Sequence, residues 1–200
     1  MRQGETRTKI RKRAQILAAA ERVFFTHGYD RTSVNELRRE AGVSKGTIYA
    51  YFDSKEALFR ALCDEIHDRV FVGLINTHPT EESDREWLLR FGIAFACLMT
   101  GEPAIAAGRT VIAVADRMSE LCEAFFESGF QRGLAILTQF LSDRETIPGL
   151  DVPHAARSLL ELFLSGIHRE RLLGLMSEQD AHAQVPETVA RAIAIACRRT

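Results

Sequence analysis

The sequence predicts an all-α protein, an N-terminal three-helix helix-turn-helix domain followed by a C-terminal helical bundle. Three observations carry this. Apolar residues recur at three- and four-residue steps through most of the chain, as helices burying one face require. Close to the N-terminus, glycines and Ser/Asp-x-x-Glu signals mark out helices too short to pack alone. No stretch shows the period-two alternation of a strand, and no internal repeat or low-complexity tract appears.

Residues 1 to 8 are polar and basic and read as a mobile arm. From Lys9, the spacing of Ile10, Ala14, Leu17, Ala20 and Phe24 predicts an amphipathic helix, ended by Gly28 as its C′ residue. Ser33, with Glu36 three residues on, makes a capping box for a second helix carrying Val34, Leu37 and Ala41. Gly42 closes it, Val43 packs back beneath the cap, and Ser44 opens a third short helix whose inward anchor is Ile48. Two short helices joined through Ala41-Gly42-Val43-Ser44 form a helix-turn-helix spanning about residues 33–52. Asp53, followed by Glu56, begins a longer helix with the stripe Leu58, Phe59, Leu62, Ile66, Val70 and Leu74.

Pro79 and the polar residues to Ser83 predict a loop. Helices are then expected over 84–99, 103–114 and 118–141, with Pro103 in a first turn. Pro148, Gly149 and Pro153 mark the clearest loop of the second half, within 143–153. Beyond it, 154–176 is apolar on more than one side, which requires burial on both faces. A last helix is expected over 186–198. The domain reading is therefore residues 1–54 for the helix-turn-helix domain and 55–200 for the remainder.

With 46% apolar residues and a formal charge of −1, the composition is that of a globular protein. The sum hides an asymmetry: residues 1–62 carry thirteen Lys and Arg against seven acids, +6, which leaves −7 for residues 63–200. A basic N-terminal third points towards a polyanion, although a solvated face has the same composition. Cys63, Cys97, Cys122 and Cys197 lie far apart without zinc-finger spacing, so neither a disulfide scaffold nor a metal clip is read, and no cofactor. The longest apolar run, Phe91 to Met99, is too short for a bilayer needing about 20 residues, and the chain is expected in the cytoplasm without a membrane partner.

Helix N-termini gather unpaired N–H groups and a positive dipole end, and three cluster here, at Ser33, Ser44 and Asp53 or Ser54. Lys45, Thr47, Tyr49, Tyr51 and Lys55 supply donors for phosphates and base edges, and Gly46 lets a backbone approach a groove floor. At Ile10 to Gly28, Thr32-Ser33-Val34, AGVSKGTIY over 41–49 and YFDSKEAL over 51–58, the sequence closely resembles the N-terminal domain of the TetR family of bacterial transcriptional regulators. The resemblance implies that Lys45, Gly46, Thr47, Tyr49 and Tyr51 face double-stranded DNA, with Ser33 and Lys55 on flanking phosphates. Arg38 stands where that family commonly has a small residue; as an outward-snorkelling side chain it is expected to add a phosphate contact.

More loosely, Arg109 to Gly133 resembles the C-terminal domain of AefR-like regulators. That resemblance implies an all-α domain for dimerisation and for an unknown small-molecule effector. One short reading helix covers few base pairs, so a homodimer on a palindromic operator is expected. Its expected interface comprises Leu160, Phe163, Leu164, Ile167, Val189 and Ile193. Candidate pocket residues are Phe95, Met99, Phe125, Phe126, Phe130, Arg109 and His168, a set that plain core packing also explains. The functional expectation is a ligand-responsive repressor; an activator or a non-specific architectural DNA binder is the alternative. Asp64, His67 and Asp68 share a helix face in the manner of metal ligands, but no catalytic motif accompanies them, and no enzyme is read.

Overall fold

The computed structural model describes residues 2–75, 82–143 and 151–197, and the side chains of residues 7–68, 71, 82–143 and 151–196. The described helices are α1 (Arg2–His27), α2 (Val34–Ala41), α3 (Lys45–Tyr51), α4 (Lys55–Ile75), α5 (Asp84–Thr100), α6 (Glu102–Ile112), α7 (Ser119–Phe126), α8 (Arg132–Ser142), α9 (Val152–Phe163), α10 (Ile167–Leu173) and α11 (Glu178–Cys197). One π-helical turn, Glu127–Gln131, lies between α7 and α8. There is no strand among the described residues. The all-α expectation holds.

By packing, the chain falls into two units, residues 1–66 with 106–125, and residues 67–105 with 126–200. The packing units therefore do not follow a single cut in the chain. In the first, Leu17, Phe24, Leu37, Ile48, Phe52, Leu58 and Leu62 share one core with Val111, Val114 and Leu121 of the later segment. Phe24, Tyr29 and Phe59 pack ring against ring at 5.3–5.6 Å. In the second, Phe71, Trp87, Phe91, Phe95, Phe140 and Phe163 form the bulk, with Trp87 stacked on Phe140. Arg171, buried on α10, joins three neighbours: it donates to the carbonyls of Thr100 and Met176 at 2.9 Å and to the Glu102 carboxylate at 2.7 Å.

Several boundaries differ from the sequence reading. α1 begins at Arg2, and Ile10 and Ala14 are exposed; its buried face is Ile16, Leu17, Ala19, Ala20, Val23 and Phe24. Helix α4 is capped by Ser54, whose Oγ accepts from the Ala57 amide at 3.0 Å, rather than started at Asp53. The single helix expected over 118–141 is interrupted by the π turn, and the one over 154–176 breaks before Gly166, at φ +79°. Glycine carries that left-handed conformation without a Cβ penalty. α11 starts eight residues before Pro186, because Ala181, Val185 and Val189 form one buried stripe on both sides of the proline. Residues 77–81 and 144–150 of the expected loops, and the side chains of Val70 and Leu74, lie outside the described residues.

Candidate nucleic-acid interface

The α2–turn–α3 segment is defined by side chains that close its own helix ends. Ser33 Oγ accepts from the Glu36 amide at 3.2 Å, while the Glu36 carboxylate accepts from the Ser33 amide at 2.8 Å. Those bonds lower the Glu36 pKa, the backbone amide being the larger cause. Gly42, at φ +62°, ends α2 in the left-handed conformation. Ser44 then caps α3: its Oγ accepts from the Thr47 amide at 3.0 Å and is hydrogen-bonded to Thr47 Oγ1 at 2.8 Å. Ile48 and Phe52 are buried, which fixes how α3 rolls on the core. The opposite surface follows from that roll: Lys45, Gly46 and Tyr49 are exposed, and Thr47 is half-buried. The Lys45 ammonium lies 5.8 Å from the centre of the Tyr49 ring. At Gly46 an added Cβ would meet nothing nearer than Ser44 Oγ at 3.8 Å, so the backbone there is open to close approach.

Other expected contacts are placed less directly. Tyr51 is half-buried against the core. Arg38 is exposed, its Nε donating to Asn35 Oδ1 at 3.3 Å, so the guanidinium does leave the apolar stripe. Lys55 is engaged within the chain: its ammonium donates to the carbonyls of Tyr29 at 3.0 Å and Thr32 at 3.2 Å, over the Tyr29 ring at 4.1 Å. Beside it, the Tyr29 hydroxyl donates to Glu56 at 2.7 Å. Burial and that carboxylate raise the tyrosine pKa, and the hydrogen bond lowers that of Glu56. Lys55, Tyr29 and Glu56 thus fasten the α1–α2 turn to the start of α4. Gln15 makes a second fastening, donating to the Ala41 carbonyl at 2.7 Å. Sequence reasoning missed Tyr29 and Gln15, whose partners are 26 and 27 residues away and leave no local spacing signal.

In the second unit, Phe95 and Met99 are buried, Phe130 and His168 are half-buried, and Phe126 is exposed and stacked on Phe130 at 5.3 Å. Arg109 and Phe125, the other two candidate pocket residues, belong to the first unit, Phe125 packed against its core. Burial lowers the His168 pKa. His67 turns inward: buried, it bonds Ser128 at 2.9 Å through Nδ1, and desolvation pushes its pKa down to about 4. Asp68 pairs with Arg132. The helix-face triplet Asp64, His67 and Asp68 therefore does not converge on one point.

Five of the six expected interface residues are buried within the chain itself. Leu160, Phe163, Ile167, Val189 and Ile193 are internal to the second unit, and Leu164 is half-buried. The reason lies in α5, where a Cβ at Gly92 would come within 2.6 Å of Val189 and 2.9 Å of Phe163. α9 and α11 turn their most apolar faces onto that glycine, which leaves other faces of both helices for any partner.

Comparison with known proteins agrees with this architecture. Residues 16–62 match bacterial regulatory proteins of the tetR family, and residues 86–199 match the C-terminal domain of AefR-like transcriptional repressors. The HTH-type transcriptional regulator EthR of Mycolicibacterium smegmatis is 31% identical over 149 residues, 70% of this chain and 67% of that protein. Two further curated relatives are matched over 25% and 27% of their own length. Among solved structures, the flavonoid-responsive regulator FrrA superposes with a TM-score of 0.70 at 26% identity, covering 92% of this chain and 96% of FrrA. The regulator FadR of Bacillus subtilis, solved with stearoyl-CoA, gives 0.65 at 25% identity, covering 90% and 96%. With two family matches that together span most of the chain and a capped helix-turn-helix presenting Lys45, Thr47 and Tyr49, this chain belongs to the TetR family of DNA-binding transcriptional regulators.

Proposed function

We propose that the protein is a homodimeric repressor that holds a palindromic operator until a small molecule binds its second unit. The observation that carries the DNA part is the surface of α3, with Lys45, Gly46 and Tyr49 exposed, Thr47 half-buried and Ile48 locked in the core. Ser33, Arg38, Ser44, Tyr51 and Lys55 border that surface. Seven helical residues read only a few base pairs, so useful specificity needs two copies. The division of labour is residues 1–54 for reading and 55–200 for pairing and response.

Pairing is assigned to the outward faces of α9 and α11. Leu162, Ser165, Thr188, Arg191, Ala192 and Ile195 line an open groove there, and Ile195 is exposed. Two copies joined through these helices would form a four-helix contact. The effector is assigned to the aromatic region of Phe95, Met99, Phe126, Phe130 and His168. FrrA responds to flavonoids and FadR was solved with an acyl-CoA. Aromatic side chains suit an apolar small molecule, which need only favour the DNA-incompetent spacing of the two heads.

Selection from random DNA tests this reading. A palindromic consensus whose complex contains two chains supports it; recovery of unenriched DNA would assign an architectural binder instead. Placement of the consensus relative to promoters then separates repression from activation.

A further inference from the structure

Helix α1 begins well before the part of it that packs. No residue from 7 to 15 is buried, and the inward face starts at Ile16. Arg13 lies 3.7 Å from Glu65 and 5.7 Å from the centre of the Phe52 ring, and Gln15 donates to the Ala41 carbonyl. Arg7, Lys9 and Arg11 are exposed on the turns beyond.

The charge pattern of that projection is wrong for a helix that stands alone in water. Residues 6–20 contain five cations, Arg7, Lys9, Arg11, Lys12 and Arg13, and no acid. Arg7 with Arg11, and Lys9 with Arg13, are like-charge pairs at i,i+4, where opposite charges stabilise and like charges destabilise. A short unpacked helix is marginal even without these penalties. All of them reverse in sign against a polyanion. Breaking several local rules in one place marks a functional surface.

The face can be assigned as well. Arg7, Arg11 and Gln15 follow at i, i+4 and i+8, one stripe of the helix. Gln15 touches Ala41, at the turn that leads into α3. At 1.5 Å per residue, Arg11 lies about 6 Å and Arg7 about 12 Å further out along the axis. We propose that Arg7 and Arg11 bind backbone phosphates of double-stranded DNA flanking the operator, a sequence-independent contact outside the one made by α2 and α3. This rests on the DNA-binding reading above.

The test compares the full-length chain with its Arg7→Gln/Arg11→Gln variant on two duplexes carrying the selected palindrome, one trimmed to it and one with a further helical turn on each side. On the long duplex, the slope of log K against log salt should fall by about 3.6 for two phosphates per protomer. On the trimmed duplex the two proteins should agree. The thermal midpoint should stay level or rise, since like-charge repulsion is removed. Equal slopes on the long duplex, or the same loss on both, overturn the proposal. Loss of all operator binding by the unmodified chain would instead overturn the reading on which it rests. If the unmodified chain binds phosphatidylglycerol vesicles and the variant does not, with DNA slopes equal, the surface belongs to a membrane and the proposal fails.

Discussion

The α2–α3 segment and the α5–α9–α11 layer are both helical, yet they are held together by different physics. In the first, the helices have eight and seven residues and are defined by hydrogen bonds from Ser33, Glu36 and Ser44 to nearby amides. Their side chains can face outward because the backbone does not depend on burying them. In the second, longer helices meet at glycines: Gly92 under Val189 and Phe163, and Gly133 so close to Phe95 that a Cβ would lie 2.5 Å from its ring. Order there comes from shape, and nearly every large side chain is consumed by it. The exposed face of α3 is therefore open to substitution, whereas the second unit leaves side chains uncommitted only where its packing relaxes, as at Phe126 and Ile195.

Mutations at equivalent depth in the two regions should separate these modes. The largest effect is expected for Leu160→Glu, which places an unpaired carboxylate in a fully buried site of the second unit. A loss of more than about 4 kcal/mol is expected, with collapse of the unit in a denaturant titration rather than a folded monomer. A folded, monomeric variant would return Leu160 to the dimer surface.

Next comes pH. His67 stays neutral in the fold, its pKa pushed from 6.5 to about 4, so below 6.5 the unfolded chain takes up a proton that the folded chain refuses. Stability should fall by about 1.4 kcal/mol per pH unit across the window from 6.5 towards 4, of order 3 kcal/mol in all. Unfolding free energies at pH 7 and pH 5, measured with His67→Gln alongside, check this: the variant should lose less over that interval.

Smaller still are paired glycine changes. Gly92→Val should cost about 1–3 kcal/mol by overpacking against Val189. Gly46→Ala, in open space, should raise stability by up to about 1 kcal/mol while weakening operator affinity. Thermal melts and a binding titration on the same two variants would show both signs. A loss of similar size, about 1 kcal/mol, is expected for Ser44→Ala, through loss of the α3 cap.

This contrast also explains what was legible in the sequence. The caps at Ser33 and Ser44, the left-handed Gly42 and the anchor Ile48 are local, three or four residues apart, and the sequence reading placed them correctly. The second unit reads in sequence as helices with apolar faces, but which face meets which depends on glycines whose partners are 38 to 97 residues away, as for Gly133 with Phe95 and Gly92 with Val189. Leu160 and Val189 look the same in sequence whether they face a partner or their own core. The π turn at Glu127–Gln131 and the break at Gly166 were missed for the same reason: the apolar spacing runs through both, and only close backbone approach or a positive φ marks them. Lys55 illustrates the limit inside the reading unit itself, where a residue suited to a phosphate is held by carbonyls 23 and 26 residues away.

If sequence is read by the outward face of α3 alone, the scaffold does not need those side chains but the operator does. The direct measurement is the ratio of operator to random-duplex affinity for the unmodified chain and for Lys45→Ala/Tyr49→Ala, at one salt concentration and with folding checked by thermal midpoint. A ratio of about 10³ or more is expected for the unmodified chain, with a collapse towards unity for the variant and an unchanged midpoint. A variant that keeps its ratio, or loses it only by unfolding, would contradict that reading.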